Sequence, residues 1–285
     1  MLELFKFLEL SMETPTNYSW FHLLFLALII ALTTVLIVFF RNTTDKKFRI
    51  ILLILWGIMV LFEIYKQLTF TFRVNSAGDG LDISYQWYAF PFQLCSTPLY
   101  VLPVVIFAKE GKLRQACMAF SSFFAFFGGL AVMIFPGDVF MSQIGICIQT
   151  MIHHGFQVVT GIFISVWNRK NFNIKYWIPS IFVYLALISI ACTMNGTAFL
   201  LYDNGVYTEL HNFNMFYIRH DLTCSMPILS TIQPIVGPYA FFFIYFIGFV
   251  FVSFIMFGLQ YLFIVLIPSL VFKKKDNENK DAEAC

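Results

Sequence analysis

Three short stretches carry reactive side chains in a chain that is otherwise overwhelmingly apolar. "TMIHHGFQVV" sets His153 beside His154, "FPFQLCSTPLYVLP" holds Cys95 among Pro91, Pro98 and Pro103, and "LFEIYKQLTF" places Glu63 three residues before Lys66. Burying an imidazole or an ion without partners is costly, so each stretch calls for a reason. A thiol with an imidazole is the minimum apparatus for covalent acyl transfer: neutral histidine takes the thiol proton and the thiolate attacks an ester carbonyl. Glu63 or Asn195 is the candidate to orient the imidazole. Lys66, or a main-chain N–H near the proline-interrupted turn, is the candidate to stabilise the oxyanion. Glu63 and Lys66, three apart, can pair on one helix face.

Neighbours on a helix point about 100° apart, so one substrate rarely uses both histidines. Cys147, Thr150, His154, Gln157 and Gly161 share one small, polar face, while Gln149, His153, Gln157 and Thr160 share another. Periodicity does not choose between them. A zinc site is the weaker reading, because HxxxH and HExxH are absent and the other histidines fall in outer loops or near a span end. No metal and no cofactor is expected. The six cysteines form no CxxC pair, and most read as small apolar residues.

The elements that must position these groups are transmembrane helices. The 285 residues are 59% hydrophobic and only 12% charged, about half the charge of a soluble domain, with 37 phenylalanines. No basic stretch is interleaved with aromatics, which removes nucleic acid as a partner. The apolar runs predict an all-α bundle of seven spans: 20–40, 48–72, 87–108, 113–135, 142–167, 174–199 and 236–272. The last is too long for one perpendicular helix and must tilt or extend. A single membrane domain over 1–272 results, with an amphipathic interfacial segment at 1–15, an outer loop at 200–235 and a charged cytosolic tail at 273–285.

Orientation follows from the cations. Of the 18 lysines and arginines, 14 fall on one side: Arg41 to Arg49, Lys109 to Arg114, Arg169 to Lys175, and the tail. The alternate loops hold Asp79, Asp82, Asp138, Asp203, Glu209 and Asp221 against only Arg73 and Arg219. The N-terminus is therefore expected outside and the C-terminus in the cytosol. At a rise of about 1.5 Å per residue, the histidines lie roughly 17 Å below the outer surface, Cys95 about 12 Å and Glu63–Lys66 about 9–14 Å. Polar residues from three spans share one slab in the outer half of the bilayer. Pro98 also removes the helical hydrogen bond to the Leu94 carbonyl, leaving irregular backbone beside the thiol, which is tolerated where it is buried or lines a wet cavity.

At these residues the chain resembles a family. "FQLCSTPLYVLPVVIFAKEGKL", "HHGFQVVTGIFI", "CTMNGTAFLLYDNG" and "FNMFYIRHDLTCSMPILSTIQPIVGPYAFFFIY" together are similar to the YwaF-like bacterial integral membrane proteins, over about residues 20 to 272. That group is distantly similar to the eukaryotic membrane acyltransferase transmembrane protein one-six-four and to the androgen-induced-gene lipid hydrolases. The resemblance implies a multi-pass protein of the cell membrane, in a bacterium, with membrane lipids as substrate. It implies a nucleophilic role for Cys95 and a basic one for His154, with His153 as the extra neighbour. Asn195, Asn214 and Cys224 match family positions without an assigned role. Where many relatives read HLCD this chain reads "QLCS", so the acidic group after the nucleophile is missing.

The leading expectation is an intramembrane lipid acyltransferase or lipid-ester hydrolase using Cys95 and His154. The rival is a non-enzymatic transporter or receptor whose pocket is made by Glu63, Lys66 and the histidines. It has no inverted repeat to support it, and its polar groups stay in one half of the membrane. A retinal protein is excluded because the seventh span has no lysine before Lys273.

Overall fold

The computed structural model describes residues 2–269. The tail expected over 273–285, and the end of the seventh span, lie outside the described residues. Five helices are long and apolar enough to cross a membrane: Trp20–Phe40, Asp45–Thr71, Lys112–Ile134, Ile174–Asp203 and Leu229–Ser269. In chain order the helices are α1 (Leu2–Leu8), α2 (Trp20–Phe40), α3 (Asp45–Thr71), α4 (Pro98–Phe107), α5 (Lys112–Phe120), α6 (Phe126–Ile134), α7 (Ile144–Trp167), α8 (Ile174–Asp203) and α9 (Leu229–Tyr261). A π-helical turn, Ser121–Ala125, joins α5 to α6 in one continuous rod. The only sheet among the described residues is a hairpin of β1 (Phe72–Val74) and β2 (Leu81–Ile83) after α3.

Two of the seven expected spans take other forms, each for a readable reason. The segment 87–108 is a short helix preceded by two 3₁₀ turns, Trp87–Ala89 and Leu94–Ser96. Its prolines set this pattern. Pro98 starts α4 at a first-turn position, where a missing N–H costs nothing. Pro103 deprives the Leu99 carbonyl of its helical donor, and the Trp56 indole N–H on α3 fills that place at 2.9 Å. The segment 142–167 contains a full-length helix, α7, but one rich in Gln, Thr, His and Gly. It lies inside the bundle, with 17 of its 24 residues buried. By contrast, only 17% of α2's apolar window is buried within the protein.

Small residues let α7 sit at the centre. A Cβ on Gly129 of α6 would fall 2.6 Å from the His154 carbonyl and 2.6 Å from Gln157 Cβ. Gly155 faces Ile29 of α2, and Gly161 faces Phe126 of α6. Such close backbone approach is the ordinary basis of helix association in lipid, where no hydrophobic force separates helix from acyl chain. It also holds the His154–Gln157 turn against a rigid wall.

The last helix resolves the over-long seventh run. α9 is broken at Gly237 (φ 75°, ψ 168°), between Pro234 and Pro238. A left-handed φ suits glycine, and Pro238 then restarts the helix. At the opposite end from the hairpin, Arg114 is wholly buried and donates to Asp45 (2.5 Å), to Glu110 and to the Val105 carbonyl (2.9 Å). That knot fastens α3, α4 and α5 together.

Candidate active site

Cys95 sits in the 3₁₀ turn before α4 and is only partly exposed. A helix would have used its carbonyl for the residue four ahead. Here that carbonyl accepts from His153 Nε2 at 3.0 Å and from Gln157 Nε2 at 2.7 Å. Residues four apart on α7 thus clamp the irregular backbone, and a Cβ on Gly128 of α6 would touch both Gln157 Oε1 (3.7 Å) and the Cys95 Cα (4.0 Å).

Because a carbonyl only accepts, these contacts fix both histidine tautomers. His153 carries its proton on Nε2, which leaves Nδ1 bare, buried and unpartnered. His154 donates from Nδ1 to the Thr150 carbonyl at 2.8 Å, which leaves Nε2 as its free lone pair. The rings meet edge to face, 5.5 Å apart. The two α7 faces that periodicity could not separate therefore have different tasks: His153 and Gln157 hold the Cys95 turn, and His154 is oriented by its own helix.

Glu63 and Lys66 pair at 2.8 Å, with Glu63 only 6% exposed; both lie within electrostatic reach of Cys95 and His154, and Lys66 of His153 as well. Gln67 Nε2 donates to Glu63 Oε1 at 2.6 Å and to the Ala89 carbonyl at 3.0 Å, and the Tyr85 hydroxyl donates to Gln67 at 2.6 Å. Glu63 Oε2 has no partner. A groove of about 390 Å³ between α3 and α4 runs past it, lined by Val60, Glu63, Gln67, Pro91, Leu99 and Tyr100.

Asn195 is placed elsewhere. Its amide is committed to the main chain of Met215, donating to the carbonyl at 2.9 Å and accepting from the N–H at 2.7 Å. Instead of orienting an imidazole, it anchors the outer loop. That loop is a folded plug. Gln93, two residues before Cys95, donates to the Asn214 carbonyl at 2.8 Å, and Asn214 Oδ1 accepts from the Arg219 N–H at 2.8 Å. Met215 and Phe216 are fully buried, and Phe216 and Tyr217 hold left-handed φ of 56° and 57°, strain that only tight surroundings sustain.

Three groups of the site and its plug escape sequence reasoning. Arg219, read there only as an outer-loop charge, is 1% exposed and pins the plug, donating twice to Asp221 at 2.7 Å and to the carbonyls of Leu210 (2.7 Å) and Phe213 (2.9 Å). Tyr217 of the plug and Tyr245 of α9 lie within electrostatic reach of Cys95, and the Tyr245 hydroxyl is buried without a partner. Nothing in the apolar run around Tyr245 marks it out, whereas the density of Asn, Arg, Asp and Cys over 212–224 was a usable signal for a folded loop.

Arg219→Met should cost on the order of 3 kcal/mol, since it strands two carbonyls and a carboxylate. The readout is faster hydrogen exchange over 208–225. The guanidinium's hydrogen bonds hold the Asp221 carboxyl below its ordinary 3.8. A depressed folded pKa contributes stability that is present above 3.8 and is lost as pH falls through the lower folded value. Protection of this loop should therefore fade below about pH 4 in wild type, and an acid-independent rate would refute the role given to the pair.

Around Cys95, then, five buried polar atoms stand without partners: Glu63 Oε2, Gln93 Oε1, His153 Nδ1, Gln157 Oε1 and the Tyr245 hydroxyl. Native structures leave few such atoms, and their concentration beside a thiol and two imidazoles marks a candidate polar site inside a helical membrane protein. A multi-pass membrane protein whose cysteine-bearing turn is held by a buried histidine is the class this arrangement describes. A model of the TMEM164 family matches residues 17–261, and the chain belongs to that family. No curated protein and no solved structure matches it significantly.

Proposed function

We propose that this chain is an intramembrane lipid acyltransferase or lipid-ester hydrolase, with Cys95 as nucleophile and His154 as base. The observation that carries the reading is the cluster of unpartnered polar atoms around a thiol whose backbone is clamped by His153 and Gln157. His154 Nε2 takes the thiol proton and the sulfur attacks the ester carbonyl. The ester C–O bond breaks, the imidazolium proton passes to the departing oxygen, and Cys95 is left as a thioester. An acceptor hydroxyl or water, deprotonated by the same nitrogen, then attacks the acyl carbon and frees the sulfur, which regains its proton. Hydroxyl acceptance gives transfer and water gives hydrolysis. The Tyr245 hydroxyl and Lys66 are the donors this reading assigns to the oxyanion.

Membrane lipid reaches this site laterally, through the groove between α3 and α4, where Glu63 and Gln67 stand behind an apolar lining. Purified protein incubated with a phospholipid labelled in its acyl chain should acquire label that hydroxylamine releases, and Cys95→Ala should acquire none. Labelling of Cys95→Ala equal to wild type would end the proposal.

The proposal puts the N-terminus outside and the site in the outer half of a bacterial cell membrane, the location that the family resemblance implies. The charge bias of the loops supports that orientation. Reporter fusions after Lys46, Lys112 and Lys170 should all read cytosolic, and an extracytoplasmic signal at any of them reverses the assignment.

A further inference from the structure

A second groove, about 930 Å³, lies on the flank of the bundle between α4, α5 and α8, away from the plug. Tyr100, Val104, Phe182, Ala186 and other apolar residues form its length, and Lys112 and Lys175 stand at one end. Phe182 is 67% and Tyr100 44% exposed, so on membrane-spanning helices this face meets lipid. Both lysines are exposed, and neither pairs with a carboxylate among the described residues. The carboxylate at the mouth, Glu110, is turned away to Arg114 and Gln115.

We propose that this groove binds one anionic phospholipid from the lysine-rich leaflet, its phosphate between Lys112 and Lys175 and one acyl chain lying along α4 toward Tyr100. Charge complementarity selects the headgroup, and length selects the chain. The ten residues of α4 rise about 15 Å, half of the roughly 30 Å hydrocarbon thickness, so the groove spans one leaflet. α5 adds to the anion preference. It begins at Lys112 after Gly111, without a side-chain cap, so its first N–H groups point toward the same end. A peptide would leave main-chain polar groups facing hydrocarbon, while a lipid tail has none to leave. This site shares Tyr100 with the groove beside Glu63 but uses neither Cys95 nor the histidines.

The test uses the full chain in nanodiscs of phosphatidylcholine doped with phosphatidylglycerol, with native mass spectrometry counting the lipid retained. Wild type and Cys95→Ala should both retain one phosphatidylglycerol in preference to phosphatidylcholine. Lys112→Gln with Lys175→Gln, both at exposed positions, should reduce that preference by roughly 30-fold, the ordinary worth of two lysines at an anionic membrane surface. Ala186→Phe, which fills the groove with both lysines intact, should lower retention of either lipid. Undiminished phosphatidylglycerol binding in the lysine variant, or in Ala186→Phe, overturns the proposal. So does displacement of the lipid by millimolar inorganic phosphate, which would identify an anion site with no use for the groove.

Discussion

His154→Gln should slow acylation of Cys95 by about 10²–10⁴-fold, the usual cost of removing a general base, while His153→Gln should retain most of the rate. A thiol near its unperturbed pKa of about 8.5 is only a few per cent thiolate at neutral pH, and a site removed from water offers it less still. The proton must therefore go to a nearby nitrogen, and the hydrogen bonds name which nitrogens are bare. His154 keeps Nε2 free because Thr150 occupies Nδ1. His153 spends its Nε2–H on the Cys95 carbonyl, a duty that a glutamine amide can take over. Single-turnover labelling, released by hydroxylamine, reads the step directly. The reverse order of the two variants would move the base to His153 Nδ1. Unchanged lipid turnover in both His154→Gln and Cys95→Ala would leave the transporter or receptor reading in front.

Lys66→Met and Glu63→Leu should each destabilise the protein by about 3–5 kcal/mol, because either leaves an uncompensated charge in a poor dielectric. The double variant should melt closer to wild type than either single one. The pair is well shielded, with side-chain exposures of 16% and 8%, so solvent screening does little to soften the effect. Loss of Glu63 also frees Gln67, which then keeps only Ala89 and Tyr85 as partners. Thermal unfolding of the three variants in one detergent decides the matter. Equal melting temperatures would show that the pair is energetically idle.

The long helices were legible because an apolar run of 20 residues has one stable form in a membrane. The pairing of Glu63 with Lys66 and the disorder of the helical pattern around Cys95 were legible too, since both follow from spacing: three residues on a helix, and a proline that removes a known hydrogen bond. The partners of Cys95 were not. His153 and Gln157 reach it across 58 and 62 residues, and helical periodicity gave the two α7 faces equal standing. Asn195, the other candidate to orient the imidazole, shows the same limit: a residue type and a span do not tell direction, and its amide turns to Met215. The fold of the outer loop rests on Arg219 reaching carbonyls of a non-repeating chain, and no periodic signal encodes that.

The plug has a bearing on what the site can be offered. Asn195, Gln93 and Arg219 fasten it over the thiol from above, while the groove beside Glu63 remains open from the side. A fatty acyl group delivered by a water-soluble carrier would meet a closed roof. Under the proposed acyl chemistry, a lipid already dissolved in the bilayer needs only to drift in the plane of the membrane and turn its ester inward. Donor and acceptor would then be drawn from the same two-dimensional pool, and the composition and fluidity of that pool, more than any soluble supply on the plug's side, would set the pace of turnover.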